Sequence, residues 1–114
     1  MNIWSLQKEP KLKSLLIILQ EYLGREAFVI DMDTPVSWEA IYIRDPHDED
    51  LCAYLYTYGE GIERYGLHLE YPKNSENYSY DVFESLTAKR VAEMLAVHFD
   101  VYRIGYFPQS SGFR

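Results

Sequence analysis

The sequence predicts an α+β domain: a single antiparallel sheet of four to five strands, with an N-terminal and a C-terminal helix packed on one face. Three observations lead there. A leucine stripe at helical spacing opens the chain, alternating segments fill the stretch from Ala27 to Tyr71, and a second amphipathic helix follows them. Strands grouped between helices, instead of alternating with them, favour an antiparallel sheet covered on one side only.

Taken in order, Met1 to Glu9 carries Ile3, Trp4 and Leu6, either a docking arm or a frayed end. Pro10 suits the first turn of a helix, and Leu12, Leu15, Leu16, Leu19 and Leu23 make one apolar stripe. Gly24 stands where a C-terminal cap is needed. Ala27 to Asp33 reads as a strand with Phe28, Ile30 and Met32 inward and Val29, Asp31 and Asp33 on the other side. A second strand spans Trp38 to Arg44, with Ile41 and Ile43 toward the core and Tyr42 and Arg44 outward. Residues 45–50, DPHDED, form a turn with Pro46 at its second position.

Leu51 to Tyr71 reads as a β-hairpin around Gly59-Glu60-Gly61, whose glycines can supply positive φ. Leu51, Ala53 and Leu55 share one side with Tyr65, Leu67, Leu69 and Tyr71. Cys52, Tyr54, Tyr56 and Tyr58 share the other with Arg64, Gly66, His68 and Glu70. Pro72 to Asp81 is polar and reads as a loop, and its Asn77-Tyr78-Ser79 has the form of a glycosylation acceptor that only a secretory route would make meaningful. A second helix starts near Ser85 or Thr87, with Val91, Leu95 and Phe99 as its stripe. Val101 to Phe107 has the composition of a fifth strand, and residues 108–114 read as a tail. Residues 1–114 are thus expected to form one domain.

Composition narrows the function classes. A chain that is 47% hydrophobic and 16% aromatic is not expected to be disordered. No apolar run approaches the roughly 18 residues of a membrane span. The first ten residues mix charge through their apolar positions, unlike a signal peptide, and a single cysteine allows no internal disulfide. The expected compartment is the cytosol. Between Asp31 and Asp81, twelve acids face three bases, a net of −9; elsewhere six acids face eight bases, a net of +2, giving the −7 of the chain. Eight of the eleven tyrosines lie in that acidic segment. Such a field disfavours binding to nucleic-acid phosphates and suits a cationic partner, a metal ion or plain solubility.

Asp45, Asp48 and Asp50, joined by Asp31 and Asp33 from a neighbouring strand, are candidate oxygen ligands for calcium, set against a solvated acidic turn. The spacing is not that of an EF-hand loop. His47, His68 and His98 lack zinc-like spacing, and His98 near a helix C-terminus suits a dipole contact. Cys52 has no basic neighbour in sequence and reads as a packed thiol, although a pair with His68 across the hairpin is geometrically conceivable. Gly59-Glu60-Gly61 has an acid where a phosphate would sit. No catalytic arrangement emerges, and an enzyme is not expected.

The tyrosine side of the hairpin points instead to recognition, because tyrosine is rigid, amphipathic and enriched where proteins meet. The opposing expectation is that these tyrosines pack beneath loops or merely suit strands. The contact surface expected from sequence is Tyr54, Tyr56, Tyr58, Asp48, Glu49, Asp50, His68 and Glu70, facing a basic protein. A calcium-binding protein is one alternative, and an acidic mimic of nucleic acid that blocks a DNA-binding enzyme is another.

The segments LQEYLG, WEAIYIRD, LCAYLYTYGEG, SLTAKRVAEMLAVHF and VYRIGYF follow an order that resembles small immunity proteins of bacterial polymorphic and contact-delivered toxins, notably the group associated with deaminase-type toxins. The resemblance spans about residues 12 to 107 and is one of layout. It implies a cytosolic, non-enzymatic inhibitor that needs no cofactor and binds one cognate toxin. It assigns no functional residue.

Overall fold

Five antiparallel strands in simple meander order form the sheet, and both helices lie on the same side of it. A computed structural model describes residues 2–72, 80–102 and 105. The elements are α1 (Pro10–Leu23), β1 (Val29–Ile30), β2 (Ala40–Arg44), β3 (Cys52–Tyr56), β4 (Tyr65–Glu70), β5 (Tyr80–Leu86) and α2 (Ala88–His98), with strand order β1-β2-β3-β4-β5.

Helix α1 forms where the leucine spacing places it. Pro10 occupies its first turn, Gly24 ends it with φ +103°, and Leu12, Leu15, Leu16, Leu19 and Leu23 are all buried. Thr87 caps α2 by accepting the Arg90 N–H, and Val91, Ala92 and Leu95 face inward with Phe99 beyond them. These side chains meet Ile41, Ile43, Ala53, Leu55, Leu67 and Leu69 in one core. Each large aliphatic group so buried contributes about 1.5–3 kcal/mol before entropy is charged. The N-terminal arm is docked: Ile3 and Leu6 enter the core, and the Glu9 N–H donates to Trp38 O at 3.1 Å.

The structure corrects several expectations. The fifth strand is Tyr80–Leu86, where sequence indicated a loop and a helix start. Val101, Tyr102 and Gly105 are not in a strand, and the remainder of 101–107 lies outside the described residues, as does most of the polar stretch after Pro72. Met32 is exposed instead of inward. The reason is Asp31, whose carboxylate accepts the N–H groups of Asp33 (2.8 Å) and Thr34 (3.1 Å). This local turn ends β1 after Ile30. The hairpin connection is longer than Gly59-Glu60-Gly61: it runs from residue 57 to 64, with left-handed backbone at Gly59 (φ +73°) and Glu63 (φ +55°) and not at Gly61. It is fastened at both sides, by Lys11 Nζ donating to Gly61 O (2.8 Å) and by the Ser85 N–H donating to Glu60 Oε1 (2.7 Å).

Candidate protein-binding face

With both helices on one side, the other side of the sheet is a continuous aromatic plate. The register sets its rows, because directly opposed residues on neighbouring strands share a face. Tyr42, Tyr54, His68 and Val82 stand opposite one another across β2 to β5, and Arg44, Cys52, Glu70 and Tyr80 form the adjoining row. In a third row, Tyr56 opposes Gly66. Ring centroids lie 5.0 Å apart for Tyr42 and Tyr54, 5.3 Å for Tyr54 and His68, and 4.6 Å for Tyr56 and Tyr58. These are the separations at which aromatic rings attract one another.

Exposure across the plate is graded. Tyr56 is only 5% exposed, Tyr42, Tyr54 and His68 are half-buried, and Tyr58 and Tyr80 are exposed at 42% and 53%. The burial at the centre has a local cause. A Cβ at Gly66 would lie 2.0 Å from Cζ of Tyr56, so the Tyr56 ring rests on bare backbone in space only glycine leaves. Covering a strand glycine with a cross-strand aromatic ring repairs the gap that the missing side chain creates.

Hydrogen bonds fix the rest of the plate. The Tyr42 hydroxyl donates to Glu70 Oε2 at 3.0 Å, and the Tyr54 and Tyr58 hydroxyls share a bond of 3.1 Å. Burial, reinforced by Glu70, pushes the Tyr42 hydroxyl up to about 12. Burial and the bond to Tyr58 also raise Tyr54. Both phenols are therefore neutral near pH 7, and the negative charge at the plate comes from carboxylates.

Of the residues expected to make contact, the fold gathers Tyr54, Tyr56, Tyr58, His68 and Glu70 on this face. Asp48, Glu49 and Asp50 stand apart, in the turn between β2 and β3, where Glu49 and Asp50 line an open groove with Asp31, Asp33, Arg44 and Asp45. Arg44 links the two regions. Its guanidinium pairs with Asp31 (Nε–Oδ2 2.9 Å), donates to Glu49 O (2.9 Å) and lies 5.0 Å from the Tyr42 ring centre.

The calcium ligands named from sequence do not converge. Among the described residues no three His, Cys, Asp or Glu side chains gather in a metal-holding group. Their carboxylates serve the local backbone instead: Asp45 accepts the His47 N–H and Asp48 the Asp50 N–H, while Asp31 also accepts the Thr34 hydroxyl at 2.6 Å. The Cys52–His68 pair is not formed either. Cys52 opposes Glu70 and its thiol donates to Glu70 Oε1 at 3.5 Å, whereas His68 opposes Tyr54. Burial, with Glu70 beside it, pushes the thiol up to about 12. His98 lies in the last turn of α2, as the dipole reading expects, and is further held there: its Nε2 lies 2.9 Å from Cys52 O, and Tyr71 packs on it edge to face.

Sequence reasoning left out Tyr42 from the contact set and missed Tyr80, Val82 and Glu84 altogether. The signal was there in the alternation of β5, where Tyr80 and Val82 point outward and Phe83 packs against the core.

The sheet face away from the helices is thus acidic and aromatic, and among the described residues no metal-holding group gathers on it. No protein family, no curated protein and no solved structure matches this chain. No described helix is long and apolar enough to cross a membrane.

Proposed function

We propose that this chain is a non-enzymatic binding module whose aromatic sheet face receives a basic surface of a cognate protein. The resemblance in layout makes the reading specific: an immunity protein that neutralises a bacterial toxin in the cytosol. The observation that carries it is the plate itself, in which Tyr42, Tyr54, Tyr56, Tyr58, His68 and Tyr80 form one connected aromatic patch on the side away from both helices. Large rigid rings at the centre supply affinity on desolvation, and surrounding carboxylates speed encounter with a cationic partner.

The test is co-expression with the product of any toxin-bearing reading frame found next to this gene, followed by calorimetry on the purified pair. Protection of the host cell and a complex weakened at least tenfold by Tyr54→Ala, an ordinary loss for a central aromatic, support the reading. No protection and no heat of binding would remove it.

A further inference from the structure

We propose that the corner formed by Tyr56, Tyr58, Glu60 and Glu84 is the seat of an arginine side chain on the partner. This deepens the protein-binding reading above and rests on it.

The floor of the corner is rigid. Tyr56 is held against Gly66, and Tyr58 stacks on it with ring planes 24° apart. The far wall comes from an irregularity in β5. Tyr65 pairs with Leu86 and Leu67 with Phe83, so Glu84 and Ser85 together oppose the single residue Gly66. Such a bulge re-aims side chains. Ser85 takes the strain with φ +58°, and its N–H holds Glu60 through one carboxylate oxygen. The bulge thereby draws Glu60, from the hairpin connection, and Glu84, from the edge strand, to the same end of the plate.

Two groups of this corner are open to solvent and to a ligand. Tyr56 is 5% exposed, and its hydroxyl, which has no protein partner among the described residues, is the part that reaches solvent, since no described buried polar atom lacks a partner. Burial first, then the charges of Glu84 and Glu60, hold its ionisation above the usual range. Glu84 forms no ion pair among the described residues. Lys11 donates to Gly61 O and covers Tyr65, and Arg64 donates to Glu63 O.

A phenol acceptor and two carboxylates beside stacked rings match a guanidinium better than any other common group. Guanidinium is planar, so it lies on a tyrosine face, and its fork of N–H donors meets carboxylate oxygens at the rim. An ammonium ion offers the charge without the plane. A metal ion would gain nothing from the rings.

The experiment titrates the isotope-labelled full chain with three acetylated, amidated tripeptides, Gly-Arg-Gly, Gly-Lys-Gly and Gly-citrulline-Gly, and follows amide shifts. Saturable shifts at Tyr58, Gly59, Gly66 and Glu84 are expected for arginine, weaker ones for lysine and none for citrulline. Glu84→Gln is expected to weaken the arginine peptide by roughly three- to tenfold, the loss of one charge-assisted bond at a wet site. Tyr58→Ala, on an exposed side chain that leaves the core intact, is expected to do the same. Equal shifts from arginine and citrulline, shifts confined to residues 45–50, or no saturation would overturn the proposal. Failure here is distinguishable from failure of the broader reading, because Tyr42→Ala, at a residue bonded to Glu70 and stacked near Arg44, lies outside this corner and still reports on partner binding.

Discussion

Tyr56 lies flat on Gly66, its ring so close that a single added carbon at the glycine would sit 2.0 Å from Cζ. That contact sets the height of the aromatic plate. The residues above it, Tyr54, Tyr58 and His68, all rest against Tyr56, with centroids 4.6 to 5.6 Å away.

Gly66→Ala is therefore expected to cost stability and to disturb the plate together. The Tyr56 ring must leave its seat, and overpacking of this kind costs about 1–3 kcal/mol. Urea unfolding measures the loss, and the near-ultraviolet circular dichroism of the tyrosines is expected to change. An alanine variant as stable as the parent would show that the ring has other room.

Asp31 and Arg44 make an acid-sensitive clasp. Burial works to raise the Asp31 carboxyl, but the Thr34 hydroxyl, the Asp33 and Thr34 N–H groups and Arg44 outweigh it and hold the carboxyl well below the usual range. A depressed carboxyl stabilises the fold fully above its unfolded value of about 3.9, and the gain fades as pH falls below that. Asp31→Asn is expected to lower the melting temperature at pH 7 and to flatten its decline between about pH 4 and pH 2. Parallel declines for both proteins would contradict the clasp.

His98 gives a second titration of the same sign, at higher pH. Burial lowers its ionisation, even though the Cys52 and Glu70 carbonyls and, more weakly, Asp81 and Asp45 pull it upward. The folded state thus binds its proton less readily than the unfolded chain. The neutral ring contributes in full above about pH 6.5, and that contribution is lost as pH falls through the lowered folded value. A melting temperature that drops between about pH 7 and pH 5, and drops less in His98→Gln, is the expected result.

Cys52 is expected to be inert in the native protein. With its thiol pushed up to about 12, only about one molecule in ten thousand is thiolate at pH 8. A disulfide reagent is expected to react at the rate of global unfolding and at once in denaturant. Rapid labelling of the folded chain would contradict the burial.

Much of this fold was legible because burial writes itself into spacing. The five leucines of α1 recur on one side, and Leu55, Leu67 and Leu69 alternate with the plate residues of the hairpin. Strand β5 was obscured for the same reason in reverse: as an edge strand it exposes Tyr80, Asp81, Val82 and Glu84, leaving Phe83 as its chief inward mark before a bulge breaks the period. The plate could be read as a face, but not its internal logic. Gly66 needs the Tyr56 ring above it, Tyr42 bonds Glu70 28 residues away, and His98 meets Cys52 across 46. Contacts of that range have no local signature.

The central claim, that the aromatic face is where a partner sits, is tested most directly by a hydrogen-exchange footprint of this chain bound to the product of any toxin-bearing frame found beside its gene. Slowed exchange is expected across residues 54–58, 66–70 and 80–84, with the outer surface of α2 around Val97 unchanged. Protection confined to the helices or to residues 45–50, with the plate exchanging as in the free protein, would contradict it.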